Sequence, residues 1–220
     1  MPHLIQALLP VILVVAPPPP PTERKPAGVM TFHGAAWLER EGREAEQRPA
    51  EVFRAMGLKD GDVVADLGCG TGWFARRLAK VVAPRGKVYA VDIQPEMLDL
   101  LRGYVQKEGI TNVEPVLGTE TDAKVPPGSL DWILMVDVYH EFEFPFEMAE
   151  KMVEALKPGG RLVFVEFRLE DDKVPIKLVH KMSERQVIKE MGAFKEVEHT
   201  KTVATLPWQH VVIFSKKEAK

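Results

Sequence analysis

Residues 63–74 read Val-Val-Ala-Asp-Leu-Gly-Cys-Gly-Thr-Gly-Trp-Phe, an apolar run interrupted by Asp66 and followed by Gly68, Gly70 and Gly72. A run of this kind is a buried parallel strand feeding a tight turn. The glycines admit positive φ and let the backbone approach a bulky ligand, because no Cβ intervenes. Phe74, Leu78 and Val81 or Val82 then recur at helical spacing, so a helix leaves the turn. Strand, glycine turn and helix together predict a nucleotide-type ligand site.

The surrounding acids narrow the ligand. A dinucleotide site has G-x-G-x-x-G with a pyrophosphate on the helix N-terminus. Here the spacing is G-x-G-x-G, and Asp66 precedes the first glycine by two residues. A carboxylate at that point repels a pyrophosphate and suits a ligand bearing an ammonium group. Further on, Lys-Val-Tyr-Ala-Val-Asp-Ile predicts a second strand ending at Asp92. That carboxylate can accept from both hydroxyls of a ribose. An amino-acid end joined to a ribose describes S-adenosylmethionine better than a nicotinamide dinucleotide.

Beyond this unit the apolar pattern keeps alternating. Strands are expected at 62–66, 87–92, 113–117, 131–137 and 161–166, with helices at 73–82, from Pro95 onward and at 145–156. Such alternation predicts an α/β fold, a parallel sheet with helices on both faces. Ser183 with Gln186 three residues on forms a capping box for a helix to about Met191. Residues 195–203 and 208–215 then read as two strands with no helix between them, which makes them an antiparallel pair. Ahead of the sheet, residues 31–56 read as a helical segment in two pieces, broken near Gly42 and Pro49 and ended by Gly57.

Asp-Leu-Gly-Cys-Gly-Thr-Gly (66–72), Gly-Ser-Leu-Asp-Trp-Ile-Leu-Met-Val-Asp (128–137) and Leu-Lys-Pro-Gly-Gly-Arg-Leu-Val-Phe-Val-Glu (156–166) resemble motifs of the class I S-adenosylmethionine-dependent methyltransferases. The likeness runs from about Arg48 to Ser215 and is strongest to the small-molecule enzymes of ubiquinone/menaquinone-biosynthesis type. It implies a Rossmann-like seven-stranded sheet of order 3-2-1-4-5-7-6, with the last strand antiparallel. It also implies that Gly68 and Gly70 pass under the amino-acid part of the cofactor, that Asp92 holds the ribose hydroxyls, and that Ile93 packs on adenine. An acid that the family often uses toward the adenine amino group falls at Thr119, and Glu120 follows it; either would take that contact. With Asp66, Cys69, Gly72 and Asp137 these complete the expected cofactor site, in which Cys69 reads as a small residue filling the turn.

Methyl transfer from a sulfonium is an in-line displacement in which the protein aligns the acceptor and excludes water. Val136–Phe142 leaves the strand expected at 131–137 and gathers Asp137, Tyr139, His140 and Glu141. Tyr139, His140 and Glu141 are the expected catalytic group, with His140 as base where the acceptor must lose a proton. Two other segments stand where a pocket would close. Phe32, His33 and Trp37 form a possible lid, although Trp37 reads first as a helix-face core residue. Residues 175–184 bring His180 and Lys181. Lys157 and Arg161 flank Pro-Gly-Gly and read as solvated. His33, His140 and His180 have no metal-ligand spacing, so no metal is expected.

The 220 residues carry a net charge of −3 with acids and bases interspersed, which excludes a basic nucleic-acid-binding stripe. The partner expected is a small molecule. One cysteine excludes a disulfide framework. Residues 4–16 are almost wholly apolar and Pro17 to Pro21 follow, so residues 1–30 read as a signal-like or anchoring leader with a proline-rich spacer. That predicts export or a membrane tether, with a cytoplasmic leader as the alternative. Residues 31–220 form the catalytic domain, and 31–56 its helical lid. The rival functions are a non-catalytic S-adenosylmethionine-binding protein and, disfavoured by Asp66 and the glycine spacing, a nicotinamide-dependent oxidoreductase.

Overall fold

The computed structural model describes residues 25–218. The apolar run before the glycines is β1 (Val63–Leu67), paired in parallel with β2 (Lys87–Asp92) on one side and β4 (Leu130–Val136) on the other. Outside these lie β3 (Val113–Leu117) beside β2 and β5 (Leu156–Arg168) beside β4. A two-residue strand, β6 (Lys181–Met182), pairs in parallel with the end of β5. The sheet closes with β7 (Val197–Val203) and β8 (Gln209–Lys216), where β8 runs antiparallel to both β5 and β7. The long strands follow the order 3-2-1-4-5-8-7. This is the expected seven-stranded order, shifted in number by β6, which is too short to leave a periodic signal.

β5 begins five residues before the predicted strand, at Leu156. Its register against β4 shifts between the Leu130 and Trp132 pairings, and the Lys-Pro-Gly-Gly segment forms the bulge there. Along the central strands side chains alternate between two cores, as a period of two requires. Trp132, Leu134, Val163, Val165, Val211 and Ile213 face one core, and Ile133, Met135, Leu162, Phe164, Val212 and Phe214 the other.

The first core is covered by α3 (Pro49–Met56), α4 (Trp73–Val82) and α5 (Pro95–Lys107), the second by α6 (Pro145–Ala155) and α7 (Glu184–Met191). Three of these helices start with proline at the first helical position, where its missing N–H costs nothing. At α7 the Ser183 hydroxyl accepts from the Gln186 N–H at 3.1 Å, the predicted cap. Two short helices, α1 (Ala35–Leu38) and α2 (Arg43–Gln47), precede α3. The joints at Gly42 and Arg48 both adopt positive φ, and they fall at the predicted breaks.

The apolar and proline-rich stretch at 4–21, on which the leader and tether readings rest, lies outside the described residues. No helix among the described residues is long and apolar enough to cross a membrane. Residues 25–30 pack on the domain: Ala27 is buried and its N–H donates to the His140 carbonyl at 3.1 Å. The folded unit thus reaches further upstream than residue 31.

Candidate active site

The carboxyl ends of β1, β2 and β4 open on a cavity of about 720 Å³, within the roughly 300–1,000 Å³ range of small-molecule sites. The glycine turn forms its floor. Gly68 has φ 74°, and a Cβ there would stand 2.3 Å from Val138 Cγ2. Only glycine satisfies both the backbone angle and the close approach of the segment after β4. The Gly70 N–H donates to Asp92 Oδ2 at 2.8 Å, and the Gln94 N–H to Asp92 Oδ1 at 2.9 Å. Asp92 therefore fixes the turn while its remaining lone pairs are left for ligand hydroxyls. Burial, opposed by those backbone N–H groups, raises its pKa above the usual carboxylate value.

Of the residues expected to hold a cofactor, Gly68, Cys69, Gly70, Asp92, Ile93, Thr119, Glu120 and Asp137 all line this one cavity. Thr119 and Glu120 are exposed, at its mouth. Cys69 is buried with its thiol pKa pushed well up by burial and then by Asp66 and Asp92, so it stays a neutral space-filler. Gly72 starts α4 and does not line the cavity. Asp66 is buried one layer behind the wall. Burial pushes its carboxyl up to about 7, Arg43 pulls it back, and its Oδ2 has no hydrogen-bond partner. Asp66 does not line the cavity.

The residues expected to be catalytic separate. Tyr139 is 1% exposed, with its ring packed edge-on against Phe142 and Phe164 in the core. His140 is also buried outside the cavity wall. Glu166, wholly buried on β5, accepts from the Tyr139 N–H at 2.9 Å and meets His140 Nδ1 at 2.6 Å. Burial disfavours charge on that imidazole, but the adjacent Glu166 carboxylate outweighs it and raises its pKa. Only Glu141 of the three reaches the cavity. Burial raises its carboxyl to about 7, with His140 opposing and Glu166 and Asp137 adding to the rise.

Asp137 follows β4 directly with φ 53°, an uncommon conformation for a non-glycine residue. Its Oδ2 accepts from Gln47 Nε2 at 2.7 Å and Gln209 Nε2 at 3.1 Å, while Oδ1 has no partner. Burial and the Glu166 charge raise its pKa to about 7.

Sequence reasoning missed the polar groups of α2. Arg43 is buried, donates to Gln47 Oε1 at 2.8 Å and to the Leu38 carbonyl at 2.6 Å, and lines the cavity. Burial lowers its pKa to about 10, so it remains a cation at neutrality. The i,i+4 spacing of Arg43 and Gln47 was its only signal. The reading of Trp37 as a core residue is corrected: it is 44% exposed, lies under the Arg40 guanidinium and borders the cavity. Phe32 and His33 stack on each other and do not line it. The covering segment is instead residues 25–30, held by Gln94, whose Nε2 donates to the Met30 carbonyl and whose Oε1 accepts from the Phe32 N–H, both at 2.9 Å.

Residues 175–184 do not close the cavity. Lys181 donates to the Asp171 carbonyl at 2.9 Å, and His180 brings its Nδ1 to 3.2 Å from His140 Nε2, behind the wall. As expected, Lys157 and Arg161 serve the surface, against Asp131 and the Trp132 ring.

The sequence and fold match known proteins. A methyltransferase-domain family model covers residues 58–217. Protein-L-isoaspartate O-methyltransferase of Pyrococcus horikoshii is 31% identical over 114 residues, 52% of this chain and 48% of that protein. Demethylmenaquinone methyltransferase of Geobacillus kaustophilus is 29% identical over 116 residues, 53% of this chain and 50% of that one. The chain thus spans about half the length of the curated relatives it matches. The crystal structure of a SAM-dependent methyltransferase from Aquifex aeolicus superposes with a TM-score of 0.80 at 26% identity, covering 86% of this chain and all of that one.

Proposed function

The chain belongs to the methyltransferase family and its cofactor is S-adenosylmethionine; on that premise we propose that it methylates a small organic molecule bound beside Glu141. The observation that carries this reading is the wall of the cavity at the carboxyl ends of β1, β2 and β4. It brings together a buried cation, Arg43, and the carboxylates of Asp137 and Asp92. These residues fit the cofactor. Arg43 suits its carboxylate, Asp137 its ammonium and Asp92 its ribose, while Ile93, Thr119 and Glu120 border the adenine end. When bound, the cofactor supplies a methyl group already activated on a sulfonium.

The chain's own residues align the acceptor and exclude water. Glu141, Phe142 and Glu143, which follow β4, line the cavity together with Met148 and Trp37, and carboxylates beside apolar walls suit a compact organic acceptor. Glu141 is assigned the acceptor contact. His140 and Tyr139 stand behind it as positioning residues, with Glu166 fixing both the Tyr139 backbone and the His140 ring. Likeness to a demethylmenaquinone methyltransferase adds support for a small-molecule acceptor.

The test is release of S-adenosylhomocysteine from labelled cofactor on addition of pooled small metabolites, with the methylated mass identified. Turnover with that pool, reduced at least tenfold in Glu141→Gln at unchanged cofactor affinity, is expected. Turnover only with peptides would overturn the acceptor class. Tight cofactor binding without turnover on any pool would leave a non-catalytic binding protein.

A further inference from the structure

We propose that His140, His180 and Glu141 form a binding site for a first-row divalent cation, zinc or ferrous iron, behind the cavity wall, which only Glu141 of the three reaches. One ligand atom from each lies within 4.8 Å of the other two. His140 Nε2 and His180 Nδ1 are 3.2 Å apart. Two nitrogens each about 2.0–2.1 Å from zinc and separated by that distance subtend roughly 100°, near the tetrahedral angle. Two imidazoles with one carboxylate are a donor set for a borderline cation rather than for calcium or magnesium, which favour oxygen alone.

The surroundings are built for such a site. Glu166 is wholly buried and meets His140 Nδ1 at 2.6 Å. A proton on Nδ1 shared with that carboxylate leaves Nε2 as the acceptor in its 3.2 Å contact with His180 Nδ1, a hydrogen bond that a bound ion would replace. This is the carboxylate–histidine arrangement that orients metal-binding imidazoles. The main chain holds the geometry as well, since Glu166 also accepts from the Tyr139 N–H and the His140 carbonyl accepts from Ala27. Charge points the same way. Glu166, Glu141 and Asp137 bring three carboxylates into one partly dry region, where a divalent cation would offset their mutual repulsion.

The sequence hid this site because His140 and His180 are forty residues apart, on two different 3₁₀ turns, Tyr139–Glu141 and Leu178–His180. The role of the ion rests on the reading of Glu141 as the acceptor wall. There it would hold the Glu141 carboxylate ionised and fixed against the cavity, so that loading or stripping the ion alters the acceptor contact.

The full chain, stripped with chelator and free of S-adenosylmethionine, would be titrated with cobalt(II) by visible absorption and with zinc by calorimetry. One equivalent should bind, with the intense d–d bands of a low-symmetry cobalt site. His180→Ala and Glu141→Gln, both at half-buried positions, should each weaken binding more than tenfold while the circular dichroism melt is retained. Glu166→Gln should weaken it by about 10–100-fold with the stoichiometry preserved. No saturable binding, or one equivalent bound equally well by His180→Ala and Glu141→Gln, would overturn the site. Because the readout is metal binding by the cofactor-free chain, its failure leaves the methyl-transfer reading standing, and loss of that reading leaves the metal result intact.

Discussion

The Gly70 N–H donates to Asp92 Oδ2 at 2.8 Å, tying the turn after β1 to the end of β2 across twenty-two residues. The same carboxylate that suits a ribose also sets the shape of the turn. Asp92→Ala should therefore weaken S-adenosylmethionine binding by about 1–3 kcal/mol through the lost charged hydrogen bonds, and the turn should exchange amide hydrogens faster even without cofactor. Calorimetry and hydrogen exchange read the two effects separately; unchanged affinity would place the ribose elsewhere.

Gln94 fastens residues 30–32 over the cavity with two hydrogen bonds of 2.9 Å. Gln94→Ala removes both and leaves the Ala27–His140 backbone bond as the tie at the other end. Protection of residues 26–32 in hydrogen exchange should fall, and cofactor should dissociate several-fold faster, in line with about 1 kcal/mol per bond. Unaltered protection would mean that apolar contacts alone hold the strap.

Asp66 gives a pH dependence whose sign follows from its raised pKa. The folded chain holds this proton up to about pH 7, whereas the unfolded chain releases it near pH 3.9. The stability linked to Asp66 is thus present below the unfolded value and lost as pH rises through about 7. Asp66→Asn should flatten that loss. Measured without cofactor, it should be more stable than the parent at pH 8 by on the order of 2–4 kcal/mol, with the difference shrinking toward pH 4. A constant difference across that range would assign the effect to packing.

Gly68→Ala meets two obstacles, the positive φ of 74° and a contact of 2.3 Å with Val138 Cγ2. Chemical denaturation should show a loss of roughly 1–3 kcal/mol. Adding Val138→Ala relieves the contact but not the backbone angle, so the double variant should recover part of the loss and no more. Full recovery would mean that φ strain is negligible.

Much of this architecture was legible in the chain. The long strands, the final antiparallel pair and the glycine turn each rest on patterns of two, three or four residues, which local sequence carries. The cap at Ser183 and the breaks at Gly42 and Arg48–Pro49 are also local. The start of β5 was not legible, because a bulge at Lys157–Gly160 depends on the register of β4. Trp37 was misplaced for a related reason. A short amphipathic helix says which residues are apolar, not whether a cavity or a core lies opposite.

By itself the sequence determined the sheet, the glycine turn and the places of two acids, Asp66 at the end of β1 and Asp92 at the end of β2. Only the tertiary structure decided which polar groups share the cavity. It set Asp66 behind the wall and brought Arg43 of α2 onto it. It also moved Tyr139 into the core and joined His140 to Glu166 and His180. Strand and turn signals arise from neighbours in the chain, whereas burial and pairing of charged side chains arise from segments tens of residues apart meeting in a low-dielectric interior, and no local pattern records that meeting.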